Sequence, residues 1–255
     1  MMIRLKNDEQ AEGIRKSCRL LSEMFAYLRP LVIPGVTTLE LDKKAQAFIE
    51  DHGGVPAFLG YPSSGDYMDY PATLCTSVNE EVIHGIPGKR VLRPGDIVGL
   101  DCGINLDGYF SDAALTIALP PVAPETEKLL AVTRECLVQA IAAVKPGGRV
   151  HDISRAVFSH AKANGFGVVR QYCGHGVGFA PHEDPQVPNY VGSGPNPRLR
   201  PGMVLAIEPM INFGGDGVKE LDDGWTVVTS DKSLSAHFEH SVLVTDDGVE
   251  VLTSW

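Results

Sequence analysis

Between Asp8 and Leu28 apolar residues return every three or four positions. Ala11, Ile14, Cys18, Leu21, Phe25 and Leu28 fall on one face, the 3.6-residue signature of an amphipathic helix. Pro30 lies just beyond and stops it. A second helix is predicted over Thr38–Asp51, closed by Gly53-Gly54. The arrangement returns further on. Leu130, Leu137, Ile141 and Val144 make a stripe on a helix predicted from Glu125 to Val144, ended by Pro146-Gly147, and another helix from about Asp152 to Lys162 ends at Asn164-Gly165. Pro34-Gly35 matches Pro146-Gly147, and Gly53 matches Gly165, each at an offset of 112. Two unrelated helix pairs joined by Pro-Gly turns would look the same. A true echo would mean two half-domains, about 1–120 and 121–255, within a single domain over 1–255, meeting at an interface of the kind where ligand sites form.

After each helix pair the period changes to that of strands. DIVGLDCGINLDGYFSDAALTIAL, GMVLAIEPMINFGG, GWTVVT and HFEHSVLVTDDGVEVLT are rich in β-branched residues and broken by DG turns, which predicts antiparallel strands and hairpins. The fold class is α+β, with helices covering one face of a largely antiparallel sheet.

Acids interrupt these apolar strands. Asp101 follows the run IVGL, and Asp112 sits in YFSDAALTI across the LDG turn. A two-residue loop at Leu106-Asp107 would put the two acids directly opposite one another; a turn at Asp107-Gly108 would make them diagonal neighbours. Both registers keep them on one sheet face. A solvent-facing pair fits the same spacing. Buried, two like charges repel and each needs a partner, which a divalent cation supplies. Glu208 in VLAIEPMI, Glu239 in HFEHSVLV and His175 between the glycines of CGHGVG can complete such a site. Four carboxylates balance two dications, and oxygen-rich donors with one imidazole suit Mn2+, Fe2+, Co2+ or Zn2+ better than a structural thiolate zinc site. Alternation turns Cys102 away from Asp101, and both Cys102 and Cys173 read as packing residues.

Three further histidines draw attention. His182, in the loop GFAPHEDPQV, is expected to donate a hydrogen bond to a carbonyl oxygen gaining negative charge, although a structural loop histidine fits the same position; His84, in NEEVIHGIPG, has no stronger functional than structural claim from its surroundings alone. His237 and His240 flank Glu239, and an extended strand through HFEH is read as sending both to the face opposite that acid.

Composition narrows the function by exclusion. A net charge of −10, from 32 acids and 22 bases, argues weakly against non-specific nucleic-acid binding; no basic patch stands out, although net charge does not determine its distribution over the surface. Five scattered cysteines with no CxxC pair argue against a disulfide scaffold. No secretory h-region and no run of 18 apolar residues is present, so the expected location is the cytoplasm, without a membrane span. GxGxxG, GxxxxGK and GxSxG motifs are missing, which removes the sequence arguments for nucleotide binding and for a serine nucleophile.

Nearly the whole chain resembles the type I methionine aminopeptidases, metallopeptidases of the M24 family with the pita-bread fold. NEEVIHGIPG, DIVGLDCGINLDGYFSD, YCGHGVG, HEDPQV, GMVLAIEPM, DGWTV and SLSAHFEHSVLV carry the resemblance in this order. It implies a pseudo-two-fold fold, two divalent cations per chain held by Asp101, Asp112, His175, Glu208 and Glu239, and removal of N-terminal methionine from nascent or newly made polypeptides with a small second residue. Glu208 would also act as general acid–base. His182 would steady the carbonyl oxygen, and His84 would contact the scissile amide or the leaving amine. A methionine pocket would involve Tyr61, Tyr70, Cys75 and Trp225, although ordinary packing also accounts for these four. The resemblance further suggests a monomer, with transient ribosome association and no nucleic-acid requirement. Two departures affect the pocket. The loop GYPSSGDYMDYPATLC is longer than usual, and Pro181 stands where an aromatic residue commonly precedes the second loop histidine; either Phe179 refills the pocket or the rim is reshaped. The length also leaves no room for the large N-terminal domain of prolidase-like relatives, and neither a zinc-finger extension nor a long type II insertion is visible. A compact bacterial-type enzyme is expected.

Overall fold

A computed structural model describes residues 2–63, 65 and 67–255. Met1 lies outside the described residues, as do Ser64 and Asp66 of the long loop. The four predicted helices form as α1 (Asp8–Leu28), α2 (Thr38–Asp51), α3 (Pro124–Ala142) and α4 (Val150–Ala163). Local chemistry starts them. Asn7 accepts the Gln10 N–H while the Gln10 side chain accepts the Asn7 N–H, and Thr37 and Glu40 repeat this capping box at α2. Pro124 occupies the first turn of α3, where its missing N–H costs nothing.

The 112-residue echo extends into backbone detail. Gly35 N–H donates to Leu92 C=O and Gly147 N–H to Leu199 C=O; Gly54 N–H donates to Ile49 C=O and Phe166 N–H to Ala161 C=O. Glu40 and Asp152 each accept the backbone N–H three residues earlier, from Thr37 and Arg149.

Strands follow each helix pair. Val55–Pro56 (β1), Cys75–Val78 (β2) and Glu81–Ile83 (β3) precede the long hairpin Ile97–Leu106 (β4) and Tyr109–Ala118 (β5). Beyond α4 come Gly167–Val168 (β6), Gly174–Gly176 (β7), Glu183–Val187 (β8), Val204–Ile207 (β9), Met210–Asn212 (β10), Val218–Glu220 (β11), Val227–Thr229 (β12), Ser235–His237 (β13), Glu239–Val244 (β14) and Val249–Val251 (β15). The main sheet runs β1-β4-β5-β14-β9-β7-β8, with β2 also on β4 and β15 also on β14; every pairing is antiparallel. Two three-stranded sheets, β13-β10-β6 and β11-β12-β3, flank it. The fold is α+β, as the strand and helix periods predict.

Alternation separates core from site. Val98, Leu100, Cys102 and Ile104 join a continuous core with Leu21, Phe25, Leu41, Ile49, Leu137 and Val157 from the four helices. Asp101, set between them, turns to the opposite face. Cys102 is fully buried with Sγ 3.8 Å from the Thr73 carbonyl. No helix among the described residues is long and apolar enough to cross a membrane.

Candidate metal centre

The hairpin turn decides how the first two acids meet. Leu106 pairs with Tyr109, leaving Asp107 and Gly108 as the loop, both at positive φ (54° and 84°), the geometry of a type I′ turn that a DG pair favours. Asn105 Oδ1 accepts the Gly108 N–H at 2.9 Å. In this register Asp101 lies opposite Ala114 and Asp112 opposite Gly103, so the acids are diagonal neighbours.

His175 reaches the acids because its neighbours are glycines. A Cβ on Gly174 would stand 2.3 Å from the Ala206 carbonyl oxygen, and one on Gly176 would stand 2.4 Å from that of Asp184; only hydrogen fits between these backbones. The His175 Nδ1–H donates to the Gly176 carbonyl at 2.9 Å, which leaves Nε2 as the inward lone pair. That nitrogen lies 3.4 Å from Glu208 Oε1 and 3.9 Å from Asp112 Oδ2. Glu208 follows β9, and its carbonyl accepts the Asn189 side-chain N–H. Glu239 opens β14 opposite Ala114. One donor atom each from Asp112, His175 and Glu239 lie within 4.8 Å of one another, a group able to hold a metal ion.

The charge balance demands a cation. Burial raises the Asp101 carboxyl to about 7. Burial, then the charges of Asp101 and Glu208, hold Asp112 well above the usual range; burial and Asp101 do the same to Glu208, and burial with Asp112, Glu208 and Asp101 to Glu239. Burial depresses His175 to about 3, with His182 adding to the effect. Asp101 Oδ1, Asp112 Oδ1 and Glu239 Oε1 are buried without a hydrogen-bond partner. Such orphaned oxygens are costly and mark where a dication fits.

A cavity of about 270 Å³ opens beside the acids and is lined by all five of these residues together with His84, His182, Tyr61, Tyr70, Cys75 and Trp225. His182 Nδ1 and Tyr61 Oη are 2.9 Å apart, and the His182 ring stands 4.4 Å from that of His175. His84 sits at φ 59°, its ring 5.8 Å from Tyr172 and 6.4 Å from Trp225, and burial lowers it to about 4. Trp225 packs edge-on to Tyr70 at 5.1 Å and donates its Nε1–H to the Met68 carbonyl.

Three sequence expectations need correction. Phe179 does not line the cavity. Glu183 takes the N–H groups of Phe179 and Ala180, and the Phe179 ring lies beside Tyr109 with Lys6 Nζ 5.1 Å from its centroid. Cys173 lines the cavity instead of only packing; it stands two residues before His175, and alternation already shares that face. Its thiol is pushed up to about 11 by burial and by Glu208. His237 points toward the acids, its Nε2 3.8 Å from Glu208 Oε2. Residues i and i+2 of a strand share a face, so alternation sends His237 to the Glu239 side and only His240 away. Phe58, Ile83, Gln171 and Tyr172 also line the cavity; Ile83 borders His84, and Gln171 and Tyr172 directly precede Cys173, but nothing in their residue types marked them.

The loop bearing His182 is anchored from the N-terminus. Lys6 Nζ lies 2.7 Å from Glu183 Oε2, and the two side chains are 1% and 2% exposed. Lys6→Ala strands the Glu183 charge, and a loss of about 3–5 kcal/mol is expected; urea unfolding of the purified variant measures it.

Acids gathered around His175 and opening onto a cavity lined by aromatic residues are the mark of a metal-dependent hydrolase. The chain belongs to metallopeptidase family M24, whose profile matches residues 12–246. It is 54% identical over 253 residues to a methionine aminopeptidase of Treponema pallidum (strain Nichols), covering 99% of this chain and 96% of that one. Two solved structures superpose on the whole fold: a methionine aminopeptidase from Thermotoga maritima, with a TM-score of 0.94, 40% identity and full coverage of both chains, and one from Rickettsia prowazekii, with a TM-score of 0.94, 37% identity and coverage of 99% and 100%.

Proposed function

We propose that this chain is a methionyl aminopeptidase, hydrolysing the first peptide bond of nascent or newly made polypeptides with a small second residue. The carrying observation is the buried acid cluster opening directly onto an aromatic cavity too small for a folded partner. Asp101, Asp112, His175, Glu208 and Glu239 are the proposed holders of two dications, drawn from Co2+, Mn2+, Fe2+ and Zn2+. When bound, the cations supply the positive charge that activates water and polarises the carbonyl. Glu208, as a carboxylate, would take a proton from the attacking water and return it to the leaving amine. His182, oriented by Tyr61, donates to the carbonyl oxygen, and His84 meets the scissile amide or the departing amine. Tyr70, Cys75 and Trp225 form an apolar slot whose aromatic faces suit an unbranched thioether. Action on chains leaving the ribosome, in the cytoplasm and as a monomer, belongs to the same reading.

With Mn2+ or Co2+ added, the purified protein is expected to release methionine from Met-Ala-Ser and to spare Met-Lys peptides. Cleavage of Xaa-Pro dipeptides without methionine release would replace this reading with another hydrolase on the same scaffold.

A further inference from the structure

Strands β5 and β14 carry Asp112 and Glu239, yet they pair directly only at Ala114–Glu239 and Ala113–His240. Continuing that register outward sets Thr116 opposite His237 and Asp112 opposite Ser241. In an unbroken antiparallel ladder, pairs of this parity all bond in the same way, backbone to backbone. At both flanking pairs a side-chain hydroxyl intervenes. Thr116 Oγ1 accepts the His237 N–H at 2.9 Å and donates to the His237 carbonyl at 2.8 Å. Ser241 Oγ accepts the Asp112 N–H at 3.2 Å and donates to the Asp112 carbonyl at 2.8 Å. One hydroxyl comes from each strand, and each serves both polar groups of the residue facing it.

A link made through a hydroxyl oxygen spans further than a direct N–H···O bond of about 2.9 Å. Two such links, one on each side of the Glu239–Ala114 pair, join β5 to the end of β13 and to β14 where the acids face a common space. At the second, the Ser241 N–H and C=O turn from β5 to Thr253 Oγ1 and the Leu252 N–H, which leaves the Ser241 hydroxyl to meet Asp112. The four residues are all nearly inaccessible, with Thr116 at 4%, Ser241 at 0%, Asp112 at 3% and His237 at 4% exposure, so water cannot take over these bonds. Neither hydroxyl touches the cavity, and neither is needed as a donor atom for a cation.

Resting on the dication reading above, we infer that Thr116 and Ser241 are positioning residues of the metal centre, their hydroxyls setting the spacing between the strand of Asp112 and the strand of Glu239. The ligand class concerned is a divalent cation pair. Hydroxyl-free side chains let β14 settle toward β5 or leave Asp112 and His237 backbone groups unpaired, and in both cases the carboxylates lose their separation.

The test is calorimetric titration of the chelated full chain with Mn2+, alongside thermal melts of the metal-free proteins. Outer-shell changes commonly weaken metal binding about 10–100-fold, and Ser241→Ala and Thr116→Val are expected to raise the Mn2+ Kd by about tenfold or more on that scale. Thr116→Ser keeps the hydroxyl and is expected to bind like the parent, even if its metal-free melting temperature falls through lost packing. A Kd unchanged in both Thr116→Val and Ser241→Ala, with or without a lower melting temperature, overturns the inference by reducing the hydroxyls to ordinary structural bonds. An equal loss of affinity in Thr116→Ser and Thr116→Val also overturns it. Should Ser241→Ala not fold, the Thr116 pair still decides. Glu239→Ala serves as the control for the underlying reading: if it binds Mn2+ as the parent does, the dication assignment itself fails, independently of the spacers.

Discussion

Glu208→Gln and His175→Ala are each expected to lower methionine release from Met-Ala-Ser by about a thousandfold, while the far-UV circular dichroism stays that of the parent. Loss of a positioned acid–base group alone removes about 10²–10⁴ in rate. Glu208→Gln keeps the volume and removes the carboxylate that would carry the proton and share a cation. His175→Ala removes the nitrogen lying 3.4 Å from Glu208 Oε1 and 3.9 Å from Asp112 Oδ2. The fold survives because neither side chain belongs to the helix-packed core, which is built from the opposite face of the sheet. Glu208→Gln carries a second signature. In the metal-free protein it deletes one of four mutually repelling acids, so its melting temperature at pH 8 should equal or exceed that of the parent. Parent-like turnover by either variant under limiting metal would end the assignment of these two residues.

Chelation of the protein is expected to abolish turnover and to expose a contribution of the buried acids to stability that is lost as pH rises through about 7. The direction follows from proton balance. Asp101 is raised to about 7, and Asp112, Glu208 and Glu239 are raised well above their usual values, by burial first and by one another second. Unfolded, such groups titrate near 4. The folded metal-free chain therefore binds protons that the unfolded chain has released, and stability declines as pH climbs through the folded values. For Asp101 alone, a shift from 3.8 to about 7 corresponds to roughly 4 kcal/mol. The buried imidazoles act in the reverse sense. His84, His175 and His237 are lowered to about 4, 3 and 3, so the unfolded chain takes up protons near 6.5 that the folded chain refuses, and stability falls as pH drops below that point. Saturating Mn2+ replaces the proton that Asp101 keeps up to about pH 7, so the rise in melting temperature on adding Mn2+ should be larger at about pH 8 than at about pH 6. An equal rise at both would show that the acids do not share the cation site.

Much of the architecture was legible because helix and strand periods are short-range. The stops at Pro30 and Gly53, and the stripe from Ala11 to Leu28, lie within a few residues of what they control, and α1 and α2 form over the predicted spans. The third helix starts one residue before the predicted Glu125, at Pro124, and the fourth starts at Val150, two before Asp152, since the apolar spacing does not set the first turn. The acids stood out for a similar reason: a charged residue in a run that must be buried is visible without knowing its neighbours.

By itself, then, the sequence determined which segments become helix or strand, that Asp101 and Asp112 share a face, and that four acids and one imidazole lack ordinary reasons to be where they are. The tertiary structure decided everything that depends on which strand lies beside which. It selected the diagonal register of the DG hairpin, sent Phe179 out to Tyr109 and Lys6, and brought Glu239 across to Ala114 with hydroxyl links on either side. Pairing between strands far apart in the chain is chosen by the packing of whole faces against one another. No local pattern of residues encodes that choice, because the free energy that makes it is shared among side chains that meet only in the folded state.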